Sequence, residues 1–170
     1  MEPFLAIFIL IIIILVIFYS FLIYINFKIN KLELKIINLF EKRTGIIPSI
    51  FDVTMKYLNK HDEVFRNILK YRKMEFSQID HEEKLLRLLH TEQLIHNELN
   101  FIFRVSNKHQ KLLKQAKFIY LRELIINRSQ EIGTLIKVYK NIIKNYNKLI
   151  FIKNLTIVGT LIPLSKKEKI

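Results

Sequence analysis

The sequence predicts an all-α protein: an N-terminal single transmembrane helix continuing into an antiparallel four-helix bundle with long helices. Three observations lead there. Pro3 to Phe27 is an almost unbroken apolar run without Lys, Arg, Asp or Glu. After it, apolar residues recur at steps of three and four, the spacing of one helix face, and alternation of the strand type never lasts more than a few residues. Only three glycines and three prolines punctuate the 170 residues.

About 20 apolar residues at ~1.5 Å rise cross a ~30 Å hydrocarbon layer, where a helix satisfies every backbone group internally. The run lacks a basic leader, exceeds the apolar core of a signal peptide and has no small-x-small cleavage site, so a retained anchor is expected. All 28 Lys and Arg residues lie at or after Lys28, whereas the leading end carries only Glu2. Basic residues stay inside. The expected location is therefore the cell membrane, single-pass, N-terminus outside and Lys28–Ile170 cytoplasmic, with Tyr19 and Tyr24 at headgroup depth.

The expected division is an anchor over 1–27, a helical bundle over 28–154 and an apolar, then Lys-rich tail over 155–170. Ile25, Ile29, Leu32, Ile36 and Phe40 form the stripe of a first bundle helix, about 28–43. Thr44-Gly45 reads as its break. Pro48, whose missing N–H costs least in a first turn, opens a second helix over about 48–76, with Ile47, Ile50, Phe51, Thr54, Leu58, Phe65, Ile68 and Leu69 inward. Ser77 and Asp80 are caps for a third helix, about 80–105, which buries Leu85, Leu88, Leu89, Ile95, Leu99 and Ile102. After a break at Ser106-Asn107, a fourth helix covers about 110–152. Its stripe is Leu112, Phe118, Leu121, Ile125, Ile132, Leu135, Tyr139, Ile142, Tyr146 and Leu149. The first two helices differ in length, about 24 Å against about 43 Å. Run straight back, the second would carry Lys70 to Lys73 into the membrane, where charge is costly; a tilted bundle or a shorter span is then required.

The formal net charge is +13, and +14 over Lys28–Ile170, which holds all 28 basic residues and 14 of the 15 acidic ones. A basic domain suits anionic partners, the inner leaflet or nucleic acid. Nucleic acid is not expected, because the aromatic residues fall on apolar stripes instead of interleaving with basic ones as stacking platforms. The absence of cysteine excludes disulfides, thiolate chemistry and Cys-ligated metal. Scarce glycine argues against phosphate loops. His81-Glu82-Glu83-Lys84-Leu85 starts like a zinc-protease helix but has Leu85 where the second His belongs. Glu92 and His96 stand four apart without the second pair of a di-iron bundle; His61 and Glu92 read as hydrogen-bonded polar residues of the bundle. Ser49, Ser106 and Ser129 have no nucleophile signature. No enzyme, catalytic residue, metal ligand or cofactor is expected.

Lys42-Arg43-Thr44-Gly45-Ile46-Ile47-Pro48-Ser49-Ile50, with Tyr57 and Arg72 behind it, is similar to the basic-basic-x-Asp-Leu-Ile-Pro-Asn-Leu turn of the LemA family. Tyr139-Lys140 and Tyr146-Asn147 match its paired Tyr-Asn repeat seven residues apart, and Tyr19-Ser20 its first Tyr-Asn. The chain thus resembles bacterial membrane-anchored LemA helical proteins over nearly its full length. It departs from them at Gly45 and Ser49, which replace Asp and Asn, at Lys60-His61 in place of His-Glu, and at His109-Gln110 in place of Tyr-Pro. The resemblance implies a membrane protein of poorly defined role and no known enzymatic reaction; from the stripes themselves, coiled-coil-like packing of the helices is expected.

Candidate interaction residues are Lys42, Arg43, Ile46, Ile47 and Pro48, expected at the tip farthest from the bilayer, Tyr139, Tyr146 and Asn147 on the last helix, and Lys166, Lys167 and Lys169 in the tail. The expected role is a non-enzymatic scaffold or interaction module at the inner membrane, with the bilayer and an unidentified protein as partners. The second reading is a binder of anionic lipid headgroups through the basic bundle and the tail.

Overall fold

The structure is a computed structural model and describes residues 2–57, 81–156, 159 and 163–167. All its regular elements are helical: α1 (Glu2–Thr54), a 3₁₀ turn (Met55–Tyr57), α2 (His81–Ser106), α3 (Gln110–Leu113) and α4 (Ala116–Asn154). The second expected helix falls largely on 58–80, outside the described residues.

The expected break at Thr44-Gly45 is not there. α1 runs through both Gly45 and Pro48, and the chain first tightens at Met55–Tyr57. Interior Gly and Pro cost a helix about 1 and about 3 kcal/mol. Against that stands a continuous row of inward positions, Ile36, Phe40, Arg43, Ile47, Ile50 and Thr54, all buried. A fully buried aliphatic or aromatic side chain contributes about 1.5–3 kcal/mol, so the row outweighs the two breakers. With the turn moved back to Met55, α1 beyond Lys28 measures about 40 Å, and the expected shortness of the first helix disappears.

The chain divides into two compact units: residues 33–136, and residues 1–32 together with 137–170. In the first, Ile47 and Ile50 of α1, Ile95, Leu99 and Ile102 of α2, Leu112 of α3, and Phe118, Leu121 and Ile125 of α4 form one buried cluster. Arg43 bonds Glu92, and the Tyr57 ring lies 5.5 Å from that of His109, tilted by 51°, just past the end of α2. Numbers rise together, so α1 and α2 run parallel. α4 runs the other way: Phe118 shares the cluster of Ile47 and Ile50, while Ser129 bonds Arg43.

In the second unit α4 returns along α1. The Tyr146 hydroxyl donates to Asn26 Oδ1 at 3.5 Å, and Tyr19 and Thr156 share a hydroxyl–hydroxyl bond of 2.8 Å. Among the described residues its buried apolar and aromatic side chains are Tyr19, Leu22 and Ile29 of α1 and Tyr139, Ile143, Tyr146 and Ile150 of α4. From Phe4 to Ile14, and again at Val16 and Ile17, α1 exposes its large apolar side chains on every face. It is the one helix among the described residues long and apolar enough to cross a membrane.

The α4 stripe drifts from the expected one. Ile143 and Ile150 are buried, and Ile142 and Leu149 are half-buried, because the seam advances by 3.5 residues per turn, as in a coiled coil.

Gly45 lies in regular helix without positive φ, and nothing stands within 4 Å of the place a Cβ would take. Gly45→Ala is therefore expected to stabilise the protein by about 0.5–1 kcal/mol, read as a raised thermal midpoint of the full chain in detergent. A lowered midpoint would restore the turn.

Candidate functional site

Two polar constellations stand out, one in each unit. In the 33–136 unit, Arg43 replaces an apolar residue midway along the α1 row, with its side chain fully buried. A buried guanidinium is tolerated only when paired and hydrogen-bonded. Glu92 of α2 meets it with both carboxylate oxygens: Arg43 Nη1 donates to Oε1 at 2.7 Å, and Nη2 donates to Oε2. Nη1 also donates to the Ser129 hydroxyl of α4 at 3.2 Å. The Phe40 ring, one turn earlier, lies 5.3 Å from the guanidinium carbon, within cation–π range. One side chain thus ties three helices together. Two buried threonine hydroxyls are satisfied on their own helix, Thr54 on the Ile50 carbonyl and Thr91 on that of Leu88, whereas the buried Ser106 hydroxyl at the end of α2 makes no hydrogen bond among the described residues. Such an arrangement sets the lateral register of helices.

In the other unit, α4 and the tail build an open groove. The Asn147 side chain pairs with one tail peptide as a neighbouring strand would: its amide donates to the Lys167 carbonyl at 2.8 Å, and the Lys167 N–H donates to Oδ1 at 2.9 Å. Lys153, itself buried, donates to the Leu164 carbonyl at 2.8 Å. Gly159, past the end of α4, packs closely on its last turn: a side chain there would collide with the Lys153 carbonyl. Lys166 is thereby held with its ammonium 5.8 Å from the Phe151 ring centroid. Lys144, Asn147, Lys148, Phe151, Ile152 and Lys166 line the resulting space of about 450 Å³.

The LemA family model matches residues 33–169 of this chain. The chain belongs to the LemA family. No curated protein and no solved structure matches it.

In this LemA protein the segment Lys42–Ile50 is interior helix and not a turn. Arg43 and Ile47 are buried, so neither is the exposed tip residue expected of it; Lys42 is exposed, and Ile46 and Pro48 are half-buried. Tyr139 and Tyr146 are buried, Asn147 and Lys167 half-buried and Lys166 exposed. Lys169 lies outside the described residues, as do His61 and Arg72. Glu92 is the hydrogen-bonded polar residue expected, whereas His96 faces solvent. Among the described residues no three His, Asp or Glu side chains converge as metal ligands do.

Thr44-Gly45 has the composition of a break, which hides the Arg43–Glu92 pair at the level of sequence, although α1 runs through it. A strict alternation of four and three steps from Ile36 puts Arg43 inside. Glu92→Ala strands that buried charge, with an expected cost of about 3–5 kcal/mol. The double change Arg43→Met with Glu92→Leu should lie nearer wild type than either single change, since apolar replacement of a whole buried pair is close to neutral. Denaturant unfolding of the three variants checks it; additive losses would show that the pair is not coupled.

Proposed function

We propose that this LemA protein is a non-enzymatic scaffold or interaction module held at the inner membrane by α1. Its N-terminus is outside, and its helical part, completed to a four-helix bundle, is in the cytoplasm. The observation that carries the reading is the apolar face-all-round exposure of α1 from Phe4 to Ile17. A helix of a water-soluble protein buries one stripe and solvates the other; one that is apolar on every side is stable in lipid. Orientation rests on the placement of all 28 basic residues after the apolar run, which favours retention of that side in the cytoplasm.

The scaffold role is supported by how the polar groups of the interior are used. Arg43 donates to both Glu92 and Ser129 and so joins three helices, and Thr54 and Thr91 close on their own backbones. The chemistry goes into fixing helices against each other. A second role at the same membrane, binding of anionic headgroups, is supported by the three lysines of the groove.

The chain has no native cysteine, so a single one at exposed Lys117 reports topology cleanly. Lys117→Cys is expected to resist a membrane-impermeant maleimide in intact cells and to react in inverted vesicles. Labelling of intact cells would reverse the orientation. A metal or nucleotide found at stoichiometric occupancy in the purified protein would overturn the non-enzymatic reading.

A further inference from the structure

We propose that the groove of Lys144, Lys148 and Lys166 is a binding site for the phosphate of an anionic phospholipid, with Phe151 and Ile152 taking the start of its acyl chains. The proposal rests on the membrane-anchored reading of α1 and adds a ligand site to it.

The order of side chains along the groove carries the argument. The Tyr146–Asn26 and Tyr19–Thr156 bonds fix α4 antiparallel to α1. Moving along α4 from Tyr146 to its end therefore means moving along α1 from Asn26 back to Tyr19, into the apolar run. Lys144 and Lys148 stand at the polar end of this stretch. Phe151, Ile152 and Leu155 stand toward the apolar end, and they are 57%, 50% and 72% exposed. Helix ends in water do not present a cluster of large apolar side chains without cause. A change from ammonium to hydrocarbon in the direction of increasing membrane depth is the polarity profile of a phospholipid itself, headgroup outermost and acyl chains inward.

The cationic end is constructed as well as charged. Lys144 and Lys148 are spaced i, i+4, where like charges repel, and among the described residues no acidic side chain lines the groove. The third ammonium comes from the tail, which Asn147 and Lys153 pin by three hydrogen bonds. That pinning puts Lys166 over Phe151, at the border between the charged and apolar parts. Three lysines lining one groove supply the positive charge that a phosphate needs, and basic residues near the inner leaflet favour anionic lipids. A nucleic acid would leave Phe151, Ile152 and Leu155 exposed to water, which sets it aside.

The test uses the full chain in mild detergent and reads retained lipid by native mass spectrometry after addition of phosphatidylglycerol or phosphatidylcholine. The expected result is retention of phosphatidylglycerol over phosphatidylcholine, with retention falling about tenfold in Lys144→Gln/Lys148→Gln/Lys166→Gln. The control Lys108→Gln/Lys111→Gln/Lys114→Gln, with the same charge lost elsewhere, should retain it as wild type does. Equal retention of the two lipids, an undiminished triple variant, or an equal loss in the control would each overturn the proposal. Displacement of the lipid by millimolar inorganic phosphate would also overturn it, making the groove a site for free anion. Flotation with neutral vesicles reads the anchor separately. A chain that fails to float overturns the membrane reading and this site with it, whereas one that floats without preferring phosphatidylglycerol loses only the site.

Discussion

A single seam on α1 is the constraint on which the described structure depends. From Tyr19 the inward positions step by three and four through Leu22, Asn26, Ile29, Glu33, Ile36, Phe40, Arg43, Ile47 and Ile50 to Thr54. Every one of them is buried or half-buried. The average step of 3.5 residues is the coiled-coil period, which keeps one line of side chains facing its partners over many turns. α4 answers with Phe118, Leu121, Ile125, Ser129, Ile132, Ile136, Tyr139, Ile143, Tyr146, Ile150 and Lys153, again buried or half-buried. Propensity alone would end α1 at Gly45 or Pro48. Burial along the seam keeps it helical, since most helical stability in proteins comes from packing an amphipathic face.

Polar residues on such a seam trade stability for specificity. Arg43 could be satisfied only where Glu92 and Ser129 reach it, so it fixes which levels of α1, α2 and α4 lie side by side. A purely apolar row would tolerate slippage by a turn. Asn26, Tyr146, Tyr19 and Thr156 do the same for the pairing of α1 with the last turns of α4. Buried polar groups that select register are the best-attested use of such residues.

The all-helical class, the long apolar N-terminal helix and the third helix were legible in the sequence because each rests on local composition or periodicity. The expected 80–105 compares with His81–Ser106. The turn between the first two helices was misplaced because Gly and Pro are local signals, and the burial that overrides them is not local. The same error sent Arg43 and Ile47 to an exposed tip. On α4 the 3.6-residue stripe points to Ile142 and Leu149, whereas burial falls on Ile143 and Ile150, a choice set by the facing helix and not by the sequence of α4 alone. The pinning of the tail by Asn147 and Lys153 had no sequence signal, for an amide facing a distant peptide carries no spacing rule. The resemblance to LemA did survive, because it draws on residues spread through the matched region and not on one turn.

The most direct test of the account is the distance across Gly45 and Pro48. Leu34 and Asp52 are both exposed on α1, and the absence of cysteine lets Leu34→Cys and Asp52→Cys carry the only two spin labels. A continuous helix separates their backbones by about 27 Å, and double electron–electron resonance on the full chain should give a single distribution near that value, broadened by the label arms. A distribution centred near about 10 Å, the spacing of two packed antiparallel helices, would mean that the chain turns at Gly45 and that the seam does not exist.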